Sequence, residues 1–580
     1  ASWQGGALSL QSDNDDLTMS FCVLEGNQAF YGGSVLLESD NRGVTIDHSK
    51  FTDNIASWQG GALSLQSDND DLTIFFCVLE GNQAFYGGSV FLESDNHGVT
   101  IDHSNFTSNV ATSDDDGGGA IGAQSGNDDL TLSFCVLENN EAFFCGGALW
   151  LSEDNDGVTV DHTHFIGNMA SSSELSAGGA ILLLSSNDDF LMTYCVFERN
   201  VAKIGGALNL VYFNNRMIID HSFFNGNIAD YGGSIFLEAD NVDFTLSFCV
   251  LENNEASLLG GALYLSVINE GLTMSFCSLV NNSAMVDGGG LYFYAANREM
   301  MIAYSHFTGN TAQQRGGAMY LGWMNEDTTI SYCTFENNSA GTAGGGLFLL
   351  RENAVASISD SSFVSNTAMG ERVAFDPATY SSTQASGAGG GGAVFIDSYN
   401  SQVSFSRCHF MRNSAPYASG GALVLAISNT LITIASSVME ANYAYREGGA
   451  LFLGLTNFAV EVVDTAVLNN RAEFVGGGGI FAMARNSVSL LRVAVSANRS
   501  GMMNNVKMFC CYYVSFVCQR RCTYCCYLYS VYDVCINFVS LVFILCACVC
   551  GWTISDVMLQ CQGGKWGRSD VDGQQSEGGH

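Results

Sequence analysis

The sequence predicts an all-β solenoid, a parallel β-helix of about 17 coils, and three observations carry that expectation. Ala1 to Ile55 returns as Ala56 to Val110 with all but seven positions identical, so the chain is a duplicated array. A Gly-Gly-small triplet then recurs seventeen times, its last residue running from Ala7 to Gly479 at spacings of 27 to 32 residues and once of 47. Finally, the stretches between glycines are short, rich in β-branched and aromatic residues, and carry no apolar stripe at i, i+3, i+4. Coils stacked at strand spacing, about 4.8 Å, give a rod on the order of 80 Å long.

Each coil can be followed from its triplet. Gly-Gly supplies a bend or a close backbone approach that a side chain would block. In the strand after it, alternation sends Leu263 in, Tyr264 out and Leu265 in. An acidic turn follows, then a second alternating strand such as Leu17 and Met19 or Val44 and Ile46. Next comes a column that is never large: Cys22, Ser49, Cys77, Ser104, Cys135, Thr163, Cys195 and so on to Thr465. This reads as an interior slot where cysteine acts as a small hydrophobe and a hydroxyl bonds a neighbouring carbonyl. Only Cys249 and Cys277 fall in adjacent coils, close enough to bridge. An apolar-x-x-Asn-x-Ala mark closes the coil, as Phe51/Asn54/Ala56 or Phe307/Asn310/Ala312, with the Asn expected to face inward and bond backbone at each turn.

Gly60-Gly61-Ala62-Leu63 and Gly178-Gly179-Ala180-Ile181, alternating with Phe307 to Asn310, resemble the repeat of the chlamydial polymorphic outer-membrane proteins and their relatives. That resemblance covers about residues 1 to 500. It implies a right-handed, pectin-lyase-like β-helix, an extracellular or cell-surface location and a non-enzymatic role in adhesion. The chain departs from the bacterial members at its C-terminus, where about 80 residues cannot form a membrane β-barrel. It also begins in mid-repeat without a signal peptide, as a fragment or truncated gene product would.

The formal charge is -37, and residues 1 to 110 hold fifteen Asp or Glu against Arg42 and Lys50, which argues against nucleic acid as a partner. Much of the acid falls in one turn: Asp13, Asp15 and Asp16; Asp68, Asp70 and Asp71; Asp128 and Asp129. Stacking lines these up as a strip in which neighbours about 5 Å apart repel by nearly 1 kcal/mol. Loosely bound Ca2+ would relieve that load; a solvated acidic rim is the alternative, since no turn has the spacing of a defined calcium loop.

The outward position of the first strand reads Phe236, Tyr264, Tyr292, Tyr320, Phe348, Phe395, Val424, Phe452 and Phe481. This row is the candidate ligand-binding face if it is exposed and takes a glycan or a surface protein; the structural reading is that the rings merely stack on one another and shield the sheet. Asp-His-Ser or Asp-His-Thr recurs at His48, His103, His162 and His221, interleaved with Phe21, Phe76, Phe134, Tyr194 and Phe248 on an outer turn. Four repeats of one group form a column rather than a catalytic triad, and extended backbone would make the adjacent Asp and His diverge. Catalysis is disfavoured, since no paired-carboxylate or lyase motif is recognisable, and no catalytic residue is assigned. The single break, the insert loop from Met369 to Ala388, would support an enzyme if it folded over Tyr292, Tyr320 and Phe348 and enclosed carboxylates.

After residue 500 the repeat ends, and 501–580 is a Cys-rich hydrophobic tail. Val534 to Trp552 runs nineteen residues without a charge, near the length of a transmembrane segment. A membrane anchor and a mistranslated region are the two readings of it. The sequence therefore predicts an adhesion or structural rod, with a polysaccharide-binding or polysaccharide-degrading β-helix as the alternative. Open coil ends make end-to-end self-association an expectation.

Overall fold

A computed structural model describes residues 4–114, 117–172, 176–370, 389–474 and 476–501. These all belong to one compact unit, Ala1–Val506. Residues 371–388 of the insert loop and 502–580 of the tail, including the candidate span 534–552, lie outside the described residues. Among the described residues no helix is long and apolar enough to cross a membrane.

Every coil repeats the same three strands and all but one add a short fourth, and like strands pair in parallel from coil to coil. In one central coil they are Ile235–Ala239, Thr245–Ser247, Val250–Glu252 and Glu255–Leu259. Their partners one coil on are Leu263–Val267, Thr273–Ser275, Ser278–Val280 and Ser283–Ala284. The first three strands build sheets of seventeen strands each; the short fourth builds stacks of six and ten, joined through isolated bridges at Val201. The expected parallel β-helix of seventeen coils is therefore the observed fold.

The interior is a set of columns. Ile235 and Leu237, Leu246 and Leu251 point inward and are fully buried, as are their equivalents along the stack. Identical residues at identical positions allow rings to stack inside the helix: Phe165, Phe197 and Phe224 lie at centroid separations of 4.7 Å, and Phe307 and Phe335 at 4.6 Å. The small-residue slot is interior as well. Cys195 donates its N–H to Ser222 Oγ at 3.1 Å, and Ser222 its N–H to Cys249 Sγ at 3.4 Å. Burial pushes the Cys135 and Cys195 thiols up to about 12, so they stay protonated and inert. Cys249 and Cys277 are free thiols; the hydrogen bond between them, together with burial, holds the Cys249 thiol up.

Two asparagine ladders run the whole stack, one at each of two corners. The expected one passes from Asn27 to Asn498. Asn227 shows its chemistry: its Nδ2 donates to Asn254 Oδ1 at 3.0 Å and to the Phe197 carbonyl at 3.1 Å. Its own Oδ1 accepts from the backbone N–H and the Nδ2 of Asn200, both at 3.0 Å. The second ladder, from Asn14 to Asn486, lies inside the acidic turn and works the same way, as Asn187 Nδ2 to Asn214 Oδ1 at 3.1 Å. Glycine is required where coils touch most closely: a Cβ on Gly233 would stand 2.2 Å from the Gly261 carbonyl oxygen.

Asn227→Ala leaves the Asn200 backbone N–H and one of its two amide hydrogens without an acceptor in a dry corner, the other amide hydrogen keeping the Phe165 carbonyl, and each orphaned donor costs about 1–3 kcal/mol. A loss of roughly 3 kcal/mol or more is expected in chemical denaturation, whereas Glu252→Ala, on the solvent side of the next coil, should stay within about 0.5 kcal/mol.

Candidate functional site

The row Phe236, Tyr264, Tyr292, Tyr320, Phe348, Phe395, Phe452 is outward-facing but not exposed, which corrects the sequence expectation. Tyr320 is 1% accessible and Phe236, the most open of them, 7%; Phe481 at the end is half-buried. The reason lies in the end of each coil. After the Asn-x-Ala strand the chain runs back along the outside of the first sheet, where Ile204, Tyr231, Leu259 and Ala343 close over the row and make a second hydrophobic core. Along this row the rings cover one another's faces too: Tyr264, Tyr292 and Tyr320 stack at 4.9 and 4.7 Å. No ring face is left on which a sugar could lie. Burial drives the Tyr264, Tyr292 and Tyr320 hydroxyls upward in pKa, as an interior row requires.

The exposed ring ladder is the Phe/His column. Phe21, His48, Phe76, His103, Phe134, His162, Tyr194, His221, Phe248, Phe276, Tyr304 and Tyr332 follow one another through twelve coils at centroid separations of 4.7 to 5.0 Å. Each occupies a one-residue corner with φ between +44° and +54°. That left-handed corner turns each histidine back onto its neighbour, so the expected divergence does not occur. His103 and His162 Nδ1 lie 2.8 Å from Asp102 and Asp161, and His221 lies 2.7 Å from Asp220. The following hydroxyl faces inward instead; Ser104 Oγ donates to the Asp102 carbonyl at 3.0 Å. Among the described residues these hydroxyls bond backbone rather than histidine, and the column's four histidines form Asp–His pairs stacked between Phe and Tyr rings.

The acidic strip proves to be a set of turn residues. Asp13, Asp16, Asp68, Asp71 and Asp129 take φ of +56° to +60°, a conformation that short polar side chains tolerate. Arg42 stands between Asp15 and Asp70 in the same column, with Nε 3.5 Å from Asp70, and His97 approaches Asp128 at 3.7 Å. Farther along, the carboxylates accept backbone amides of the next coil: Asp156 N–H to Asp128 at 3.0 Å, Asp188 N–H to Asp156 at 2.8 Å. Partial burial, with the like charges of Asp188, Asp128 and Asp154, still raises Asp156. Among the described residues no three His, Cys, Asp or Glu converge as a metal site.

One concave site breaks the column regularity. In the second outward position of the first sheet, Gly322 stands where the neighbouring coils carry Tyr294 and Leu350. The missing side chain opens a cleft of about 300 Å³ lined by Tyr292, Tyr294, Arg315, Tyr320, Gly322, Trp323, Leu350 and Arg351. Sequence reading overlooked it because its signal is a glycine outside the Gly-Gly marks. Arg315 is locked: it grips Asp287 through Nε at 3.1 Å and Nη2 at 2.7 Å, and lies 5.2 and 5.4 Å over the Tyr320 and Phe348 rings. Burial outweighs this pairing for Asp287 and raises its pKa; Asp397, one coil beyond Arg351, is raised by burial against the pull of Arg351 and Arg315.

The family described as a right handed beta helix region matches residues 210–380, a span that includes this cleft. The match agrees with the observed parallel stack over those residues. No curated protein sequence matches the chain.

Two predictions separate the ring columns and the Asp–His pairs. Tyr292→Ala should destabilise by about 3–5 kcal/mol, the range for an emptied aromatic core position. Tyr304→Ala, on the exposed ladder, loses only stacking, about 0.5–1.5 kcal/mol. For the Asp–His pairs, partial burial opposes ionisation of Asp102, but bonds from Ser133 Oγ at 2.7 Å and from His103 prevail and lower its pKa. A depressed carboxylate stabilises the fold above its unfolded pKa, about 3.9, and loses that contribution as pH falls through the folded value. Ser133→Ala should therefore be less stable than the parent at pH 6, with the gap narrowing as the pH falls below about 3.9 in parallel denaturation curves.

Proposed function

We propose that this chain is a non-enzymatic adhesion or structural rod, secreted or held at the cell surface. The observation that carries this reading is the continuity of the two asparagine ladders through all seventeen coils. A scaffold that keeps one cross-section over its whole length holds surface columns at fixed spacing and resists shear through laterally bonded strands. The resemblance of Gly60-Gly61-Ala62-Leu63 and Phe307–Asn310 to the polymorphic outer-membrane repeat supports the surface location. Partners on this reading are a glycan or a surface protein, with loosely held Ca2+ along the acidic strip and end-to-end contact between copies.

A second reading, a polysaccharide-binding or polysaccharide-degrading β-helix, is favoured by one feature, the Gly322 cleft with its two guanidinium groups and its ring walls. The two readings separate when the full chain is coupled to beads and passed over cell and glycan surfaces under flow, with calcium and with chelator. The rod reading expects retention under shear and no fall in viscosity when soluble acidic or neutral polysaccharides are incubated with the protein. Depolymerisation of any of them would overturn it in favour of an enzyme; loss of retention with chelator would assign the acidic strip a part in adhesion.

A further inference from the structure

The cleft at Gly322 has a chemistry that a spacer rod does not need. In a chain of net charge -37 it gathers two guanidinium groups around one cavity. Their states differ. Arg315 is two-thirds covered, bidentate on Asp287 and laid across two rings, so its charge is matched and its position fixed. Arg351 is exposed at the mouth and makes no ion pair with any described residue. Asp397, one coil on, attracts Arg351 electrostatically but forms no ion pair with it.

The walls are apolar and ring-shaped. Trp323 and Tyr294 stand 6.0 Å apart at 37°, both partly open to solvent, and Leu350 closes the opposite side of the Gly322 gap. Unlike the rings of the buried row, these two are not sealed by a coil return, so ring surface is available to a ligand. A cavity of about 300 Å³ lies at the lower bound of small-molecule sites, enough for one six-membered ring with a substituent.

We propose that this cleft binds a carboxylate carried on a six-membered ring, with Arg351 meeting the carboxylate and Trp323 and Tyr294 flanking the ring. Arg315 acts as a positioning residue: held by Asp287, it keeps Tyr320 in place and adds fixed positive potential at the cleft floor. Two sources share this chemistry, an aromatic acid and a uronic sugar, and the inference holds whether the rod or the polysaccharide reading of the whole chain is right.

The test is titration calorimetry on the full chain with benzoate and benzamide as one pair, and glucuronate and glucose as the other, at low salt. At least one acid should bind about tenfold or more tightly than its neutral counterpart, the scale of one charge-assisted hydrogen bond. That preference should vanish in Arg351→Gln, whose thermal midpoint should match the parent because Arg351 lies outside both cores. Trp323→Ala should weaken the acid by a similar factor. Tighter binding of benzoate identifies an aromatic acid as the source, and tighter binding of glucuronate a uronic sugar. Binding of neither acid, equal binding of acid and neutral counterpart, a preference that survives Arg351→Gln, or full affinity in Trp323→Ala would each overturn the proposal.

Discussion

The structure depends on asparagines that bond to asparagines. At two corners of every coil a carboxamide receives the backbone N–H and the amide of the coil before it, and gives its own amide to the coil after. Such a ladder cannot slip by one residue without orphaning a buried donor and acceptor in each coil, so it fixes the register of the adjoining strands. Fixed register makes every position a column, and columns decide everything else. Phenylalanines stack because they are brought to the same height; thiols and hydroxyls alternate because the slot between two sheets admits nothing larger.

What the sequence made legible follows from that logic. The Phe-x-x-Asn mark was readable because its period is regular and its apolar partner is constant. The second asparagine ladder was not, since Asn14, Asn69 and Asn155 sit inside Asp-Asn-Asp runs that read as surface acid. A fully buried amide flanked by exposed carboxylates has no hydropathy signature. The aromatic row failed for a different reason. Alternation correctly sent Tyr264 and Tyr292 away from the main core, but outward means solvent only when nothing lies outside the sheet. Here the tail of each coil returns over it, and the covering residues, Ile204, Tyr231 and Leu259, are too variable in type to announce a second core. The cleft has an equally weak signal: it is a local omission, Gly322, in the second outward column, whose residue types vary from coil to coil.

The Phe/His corner shows how local and global preferences conflict along one column. A bulky residue in the left-handed region costs roughly 1–2 kcal/mol, and a stacked ring contact returns about 0.5–1.5 kcal/mol. These nearly cancel, so the ladder is not what holds the coil together; the sheets on either side impose the corner and the rings make it tolerable. The C-terminal coils reach the same end by other means. Beyond Tyr332 the corner carries Asp360 and Arg407, then Asp464 and Arg492, each pair bidentate across adjacent coils. Substituting ion pairs for rings at an unchanged backbone position argues that the corner geometry comes first and the side chains adapt to it.

The same reasoning bears on where specificity can reside in a molecule built from repeats. A feature shared by every coil contributes to stability and to spacing, but it cannot distinguish one height on the rod from another. Distinction requires a departure, and several departures lie together on the tenth to fourteenth coils: Gly322 in place of a side chain, the buried Asp287–Arg315 pair, Arg351 without an ion-pair partner among the described residues, and Asp397 raised by burial. None of these residues is needed by the ladders, and two of them, a buried carboxylate paired to arginine and a half-buried carboxylate without an ion pair, work against stability. Groups that a fold does not need and partly resists are the ones for which a ligand supplies a reason. The rod and the cleft are therefore separable properties, the first set by what every coil has in common and the second by the few coils that differ.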